Sequence, residues 1–264
     1  PSGPVSIELR DVWYRYDGAC TDTLKGISLQ IKAGEKLALV GQNGSGKTTL
    51  VKLICGLFQP TKGEILVNGR DIREYNIEEY YSLISAVFQE IRPIAFTVFE
   101  FVAGVDSERP GAREAAAAAM KASGIYEKVR SLPGGMDTHL IKGIYDDGVD
   151  FSGGEMQKLV LARSIYKLSP ILVLDEPTAA LDPIAENKLY LQYRTLTRGK
   201  TSVYISHRFA STRFCDRIVL LEDGVIKEIG SHEELMAKNG SYASMFGVQS
   251  KYYQDGKEDS AAHT

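Results

Sequence analysis

The run Gly41-Gln42-Asn43-Gly44-Ser45-Gly46-Lys47-Thr48 has residue types and spacing suited to holding phosphate. It matches G-x-x-x-x-G-K-[ST]. Glycines permit backbone conformations and a close approach that side chains would block. Successive backbone N–H groups and a helix N-terminus can then surround an anion. Lys47 can reach the outer phosphates of a nucleotide and the Thr48 hydroxyl can ligate Mg²⁺, and Thr49 is expected with them among the nucleotide-binding residues.

The run Ile171-Leu172-Val173-Leu174-Asp175-Glu176 is the second chemical feature. Its apolar part suits a buried strand, which would deliver two carboxylates rigidly to the ligand-binding edge of a sheet. Asp175 would hold Mg²⁺ through its water shell, and Glu176 would polarise or deprotonate the attacking water. Acids ahead of Pro177 also suit a helix start, but beside the glycine loop the pair reads as hydrolytic.

The elements that must position these groups follow from periodicity. Strands are predicted over Val5–Tyr16, around Ile27, Leu29 and Ile31, over Lys36–Val40, and over Glu64–Val67 leading into an Asn68-Gly69 hairpin. A helix is predicted from Thr48 to Leu57. From about Glu90 to Lys158 strand-like runs vanish, and Thr97–Ala103, Ala112–Ala122 and Ile125–Ser131 read as helices of an insertion. Strands return at Ile171–Leu174 and Ser202–Ser206, with a helix between them capped by Asp182 and started by Pro183. Ile218–Leu221, Asp223-Gly224 and Val225–Ile229 read as a hairpin, and Ser231 with Glu234 as a capping box. Strand, glycine loop, helix and later buried strands describe a three-layer α/β nucleotide-binding core.

Composition narrows the function further. A chain of 264 residues, 44% hydrophobic, suits one globular unit with room for a subdomain. A net charge of −3 argues against broad electrostatic attraction to nucleic acid. Cys20, Cys55 and Cys215 fit neither a disulfide framework nor a metal-ligand spacing, so a reduced, cytosolic setting is expected. No apolar run approaches the ~18–20 residues of a membrane span, and no leader is visible. The start at Pro1 instead of a methionine suggests a fragment or a processed chain.

From about Val5 to Gln249 the ordered motifs resemble the ABC ATPase family. Phe151-Ser152-Gly153-Gly154-Glu155 is similar to the family's signature, usually Leu-Ser-Gly-Gly-Gln, and stands in the right place before the strand that ends in Asp175. Gln89 resembles the Q-loop glutamine, which the family places at the metal and the attacking water. Ala180-Leu181-Asp182 resembles the D-loop, and His207 the switch histidine. Tyr16 occupies the place of an adenine-stacking aromatic, although a core aromatic of an alternating strand is an equal reading. The resemblance implies a P-loop NTPase (RecA-like) α/β core with an antiparallel β subdomain and a helical insertion subdomain. It implies ATP and Mg²⁺ as cofactors. It also implies a head-to-tail dimer in which each ATP lies between the glycine loop of one ATPase domain and the signature of the second.

Ser152 and Glu155 also form the sequence of a capping box, which by itself only starts a helix. The two readings are compatible, because a helix N-terminus with a free serine hydroxyl suits an incoming phosphate. Glu155 departs from the usual glutamine and adds negative charge near the partner's nucleotide. The expectation is that its carboxylate turns back to cap Ser152.

Gly135-Met136-Asp137-Thr138, Gly148-Val149-Asp150, and the tail with Asp216-Arg217-Ile218, His232-Glu233-Glu234-Leu235 and Gly240-Ser241-Tyr242-Ala243 resemble the exporter branch. That branch implies a transmembrane domain of the same transporter as partner, a position on the cytoplasmic face of the membrane, and a contact region at Gln89, Phe96 and the loop Ile144–Val149. The expected division is an ATPase domain over 1–250, with its core at about 1–89 and 159–250 and the helical subdomain at about 90–158, followed by a polar tail over 251–264. An importer ATPase subunit and a soluble, non-transport ABC ATPase remain the alternatives. Against the latter stand the acidic balance and the absence of sustained heptads between Glu90 and Asp150. No nucleic-acid partner is expected.

Overall fold

Alternation along the strands decides the layering. In β3 (Lys36–Val40), Leu37 and Leu39 enter one apolar cluster while Ala38 and Val40 enter another. In β7 (Ile171–Asp175), Ile171 and Val173 join the first cluster, Leu172 and Leu174 the second. A strand buried on both faces must sit between two covering layers, and these two clusters are those layers' contacts. The computed structural model describes residues 3–88, 95–175, 196–206 and 209–250.

Among the described residues the central sheet has six strands. Beside β3 and β7 they are β6 (Ile84–Val87), β8 (Thr201–Ile205), β9 (Arg217–Glu222) and β10 (Val225–Gly230), in the order β10-β9-β3-β8-β7-β6. From β9 to β6 the pairings are parallel, and only β10 runs antiparallel, at the edge. A smaller antiparallel sheet has the order β2-β1-β4-β5, from β1 (Ile7–Tyr14), β2 (Leu24–Ile31), β4 (Lys62–Val67) and β5 (Arg70–Asp71). Between the two sheets lies α1 (Lys47–Ile54), whose Leu50, Val51, Leu53 and Ile54 are buried in the cluster that both sheets share.

Helices cover the opposite face of the central sheet. Among the described residues they include α3 (Val98–Ala103), α4 (Ala112–Ser123), α5 (Tyr126–Arg130) and α6 (Gly153–Lys167). Ala116, Ala119 and Met120 of α4 pack with Leu159, Val160 and Leu161 of α6 in this second cluster. A short helix, α2 (Ile77–Ser82), precedes β6, and α7 (His232–Lys238) follows β10, with a further helical stretch over 241–250.

Local chemistry set many boundaries. Thr97–Glu100, Ser152–Glu155 and Ser231–Glu234 are complete capping boxes at the starts of α3, α6 and α7. Asn68 and Asp223 take positive φ (50° and 49°), as the two-residue hairpin turns ahead of Gly69 and Gly224 require. The structure departs from the sequence reading at β1, which ends at Tyr14 and not Tyr16. Its register slips between Leu9 and Val12, and Asp11 stands at φ 44°, so the strand bulges. The first helix ends at Ile54, three residues before Leu57. Helix α2 was not foreseen. The helix expected between β7 and β8 falls mainly outside the described residues.

Candidate functional site

The glycine loop leaves β3 at Val40 and enters α1 at Lys47, so it sits on the edge where the parallel strands end. Register carries Asp175 to the same edge. Asp175 pairs with Ile205 of β8, and Ile205 pairs with Leu39 of β3, two residues before Gly41. Two inter-strand spacings put Asp175 roughly 10 Å from the β3 axis. Asp175 is 3% exposed. A strand buried along its length therefore presents a fixed carboxylate beside the loop.

Within the loop, Lys47 is 4% exposed, and its ammonium donates to the carbonyl oxygens of Gly41 (3.0 Å) and Gln42 (2.9 Å). The lysine thus braces the loop it belongs to, with its positive charge inside the curve of the backbone. Gly41 has φ 148°, and a Cβ there would lie 2.2 Å from the Leu221 carbonyl oxygen of β9 and 2.9 Å from Ser45 Oγ. No side chain fits, so the loop lies directly on β9. Ser45 and Gly46 are buried, while Asn43, Gly44 and Thr48 are exposed. Gly46 is the N-cap of α1 and leaves the first-turn N–H groups without a side-chain cap. A phosphate would supply that acceptor.

Tyr16 lies just beyond the end of β1, and its hydroxyl shares a hydrogen bond with Thr49 Oγ1 at 2.9 Å. The ring is edge-on to Tyr14 (5.0 Å between centroids) and to Phe58 (5.7 Å), which are stacked on each other. Held in this way and 39% exposed, Tyr16 offers a fixed aromatic face beside α1. Sequence reasoning named Tyr16 but missed its supports. Tyr14, the last residue of β1 and two before Tyr16 in sequence, carried the period-two spacing that could have found one of them.

The donor set suits Mg²⁺. Thr48 and Asp175 offer a hydroxyl and a carboxylate, both hard oxygen ligands, and Mg²⁺ commonly takes one or two protein oxygens and fills the rest with waters and substrate phosphate. Among the described residues no three His, Cys, Asp or Glu side chains group as a self-sufficient metal site. Cys55, just after α1, is a free thiol that burial pushes up to about 12, with the Asp175 charge adding to the shift, so it stays protonated at neutral pH.

Ser152, Gly153, Gly154 and Glu155 form the N-terminus of α6. Ser152 Oγ accepts the Glu155 N–H at 3.3 Å, and Glu155 Oε2 accepts the Ser152 N–H at 2.9 Å. The expected turn-back of Glu155 is therefore present. The Ser152 N–H, and then its hydroxyl and Lys128, hold the Glu155 carboxyl below the usual carboxylate range against a partial desolvation. Ser152 and Gly153 remain exposed. Lys128, which sequence reasoning did not single out, stands 3.5 Å from Glu155 Oε1. No sequence signal marks it, because the pair spans two helices whose packing only the fold defines.

Gln89, Glu176, Asp182 and His207 lie outside the described residues. In sequence, Glu176 directly follows β7, and His207 comes two residues after β8.

Comparison with known proteins places the chain in one family. The profile of the family described as "ABC transporter" matches residues 24–179. The chain is 40% identical over 247 residues to an ATP-dependent lipid A-core flippase of Paraburkholderia xenovorans (strain LB400), covering 92% of this chain and 40% of that protein. It is 41% identical over 239 residues to a protein of the same description from Cupriavidus pinatubonensis (strain JMP 134 / LMG 1197), covering 90% of this chain and 40% of the relative. Among solved structures, a bacterial Atm1-family ABC exporter with ATP bound superposes with a TM-score of 0.82 at 32% identity, over 94% of this chain and 42% of that one. The chain spans about two fifths of the length of these relatives.

Proposed function

This chain belongs to the ABC transporter family, of which it is the ATPase part, and we propose that it powers an exporter by ATP-driven closure of two copies of the domain. One observation carries the reading: a single sheet edge holds both the Lys47 loop and the buried carboxylate of Asp175, and an exposed, capped helix start at Ser152 lies elsewhere on the same chain. These are two half-sites. Lys47 and the loop N–H groups would hold the phosphates, Thr48 and Asp175 the Mg²⁺, and Tyr16 the base. Ser152 and Gly153 of a second copy would complete the cradle. Mg²⁺, when bound, supplies charge neutralisation for the transferring phosphoryl group. The chain's own residues then position and exclude: Glu176 takes a proton from the attacking water, while Gln89, Asp182 and His207 complete the catalytic set by resemblance.

The membrane partner is part of the proposal. The Leu140 N–H donates to the Phe96 carbonyl at 3.0 Å, and Thr97 bridges His139, so the exposed Phe96 lies close in the fold to the loop that carries the exposed Ile144 and Tyr145. That apolar surface on the helical layer is where a membrane part would press. Among the described residues no helix is long and apolar enough to cross a membrane, so cargo selection would fall to that partner. The names of the flippase relatives point to an amphipathic lipid as the cargo class. The core and helical layers at about 1–89, 159–250 and 90–158 would move against each other during closure, and α6 runs through the division.

The direct test is Mg·ATP binding and phosphate release by the purified chain. Lys47→Ala should weaken nucleotide binding and abolish turnover. Glu176→Gln should retain binding, stop hydrolysis and accumulate a dimer seen by light scattering. Near-normal hydrolysis by either variant would remove that residue from its role.

A further inference from the structure

The signature helix of this chain begins with an acid where the family resemblance leads one to expect an amide. A carboxylate at the N-terminus of α6 is well placed for its own helix, since it faces the positive end of the dipole. It is badly placed for the proposed function, because a second copy must bring a nucleotide's phosphates to this same helix start. An uncompensated charge at Glu155 would repel them.

The structure holds a compensation. The two oxygens of Glu155 have different partners. Oε2 accepts the Ser152 N–H at 2.9 Å, and Oε1 faces the Lys128 ammonium at 3.5 Å. Lys128 comes from α5, a helix of five residues whose Val129 is fully buried among the residues that α4 and α6 also bury. The buried Val129 anchors the turn, and its neighbour Lys128 is thereby held over the first turn of α6. The pair is partly exposed, at 44% for Lys128 and 29% for Glu155. Such a pair adds little to folding. What it does change is the local potential at the Ser152 hydroxyl, where one charge next to another of opposite sign leaves a near-neutral surface for an anion.

We infer that Lys128 is a positioning residue of the ATP-driven dimer, which neutralises Glu155 so that the Ser152 end of α6 accepts the second copy's nucleotide. The inference rests on the closure proposed above. Its chemistry is that of a nucleoside triphosphate held between two copies of this chain, with no bond made or broken by Lys128 itself.

The experiment uses the chain with Glu176→Gln, and measures the Mg·ATP concentration for half-maximal dimerisation together with nucleotide affinity of the monomer at low protein concentration. Lys128→Ala should raise the dimerisation midpoint about two- to five-fold, the range of a partly exposed charge pair. Lys128→Glu should raise it further, and Lys128→Arg should restore it. Monomer affinity should stay unchanged in all of these. Adding Glu155→Gln to Lys128→Ala should return the midpoint to the starting value, and raising ionic strength toward 1 M should shrink the Lys128→Ala effect. A merely structural role for Lys128 would show neither the rescue by Glu155→Gln nor the salt dependence. If the starting chain binds Mg·ATP and dimerises but Lys128→Ala leaves the midpoint in place, or if Glu155→Gln fails to rescue it, the role of Lys128 is overturned while closure stands. If the starting chain does not dimerise with Mg·ATP at all, closure falls and this inference falls with it.

Discussion

Gly41 is where the fold and the phosphate loop press hardest on each other, and Gly41→Ala measures that pressure. A Cβ at this position would stand 2.2 Å from the Leu221 carbonyl oxygen, whereas ordinary contact begins at 3.4 Å, so backbone must yield by about 1.2 Å. Neither neighbour yields easily. The Leu221 carbonyl belongs to β9, which is locked in parallel register to β3 from Leu37 through Val40. Overpacking of this kind costs about 1–3 kcal/mol, and an L-residue at φ 148° adds strain of about 1–3 kcal/mol. The sum is about 2–6 kcal/mol.

Gly44 supplies the internal control. It too has positive φ, 79°, but nothing lies within 4 Å of a Cβ there. Gly44→Ala should therefore cost only the left-handed backbone term, about 1–2 kcal/mol. For a urea slope of about 2–3 kcal/mol/M, the unfolding midpoint should fall by about 0.3–1 M for Gly44→Ala and by about 0.7–3 M for Gly41→Ala. Equal shifts, or an unmoved midpoint in Gly41→Ala, would refute the claim that the loop is seated by direct backbone contact with β9. A parallel loss of Mg·ATP affinity in Gly41→Ala at temperatures where the chain is still folded would show that the displaced part is the loop and not the strand.

Tyr16→Phe removes one hydrogen bond to Thr49 and should leave Mg·ATP affinity within about twofold, whereas Tyr16→Leu removes the aromatic face and should weaken it about tenfold; fluorescence titration separates the two, and equal effects would deny Tyr16 a stacking role. Thr97→Ala and Ser152→Ala each delete a capping-box hydroxyl and should each lower stability by about 1 kcal/mol by urea denaturation, but only Ser152→Ala should abolish ATP-driven dimerisation; loss in both would reduce Ser152 to a helix start. The Glu155 carboxyl is depressed, chiefly by the Ser152 N–H, so its ionised form stabilises the fold above the ordinary glutamate range and loses that contribution as pH falls through the folded-state value. The difference in Tm between the unsubstituted chain and Glu155→Gln should thus be flat from pH 6 to 8 and should drift against the unsubstituted chain below about pH 4.5; a difference independent of pH down to 3 would contradict the carboxylate's hydrogen bond.

What the sequence disclosed and what it withheld divide by the range of the physics involved. Glycine spacing, capping boxes and two-residue turns act within a few residues, so Gly41–Thr48, Ser152–Glu155 and the Asn68-Gly69 and Asp223-Gly224 turns were legible from residue types alone. The apolar run Ile171–Leu174 was legible because a strand buried on both faces has no polar residue to interrupt it. The bulge at Asp11 was not, because it depends on β2, whose Ser28 hydroxyl accepts the Asp11 N–H at 3.0 Å. The sheet order β10-β9-β3-β8-β7-β6 was equally invisible, since each parallel crossover joins strands far apart in the chain. Yet that order is what aligns Asp175 with Ile205 and Leu39, and so turns two separate motifs into one edge. Lys128 belongs with these long-range features. In the proposed dimer, an acid at Glu155 would be tolerable because α5, packed beside α6, brings Lys128 to 3.5 Å from it, a charge that arrives through tertiary structure and not through the motif.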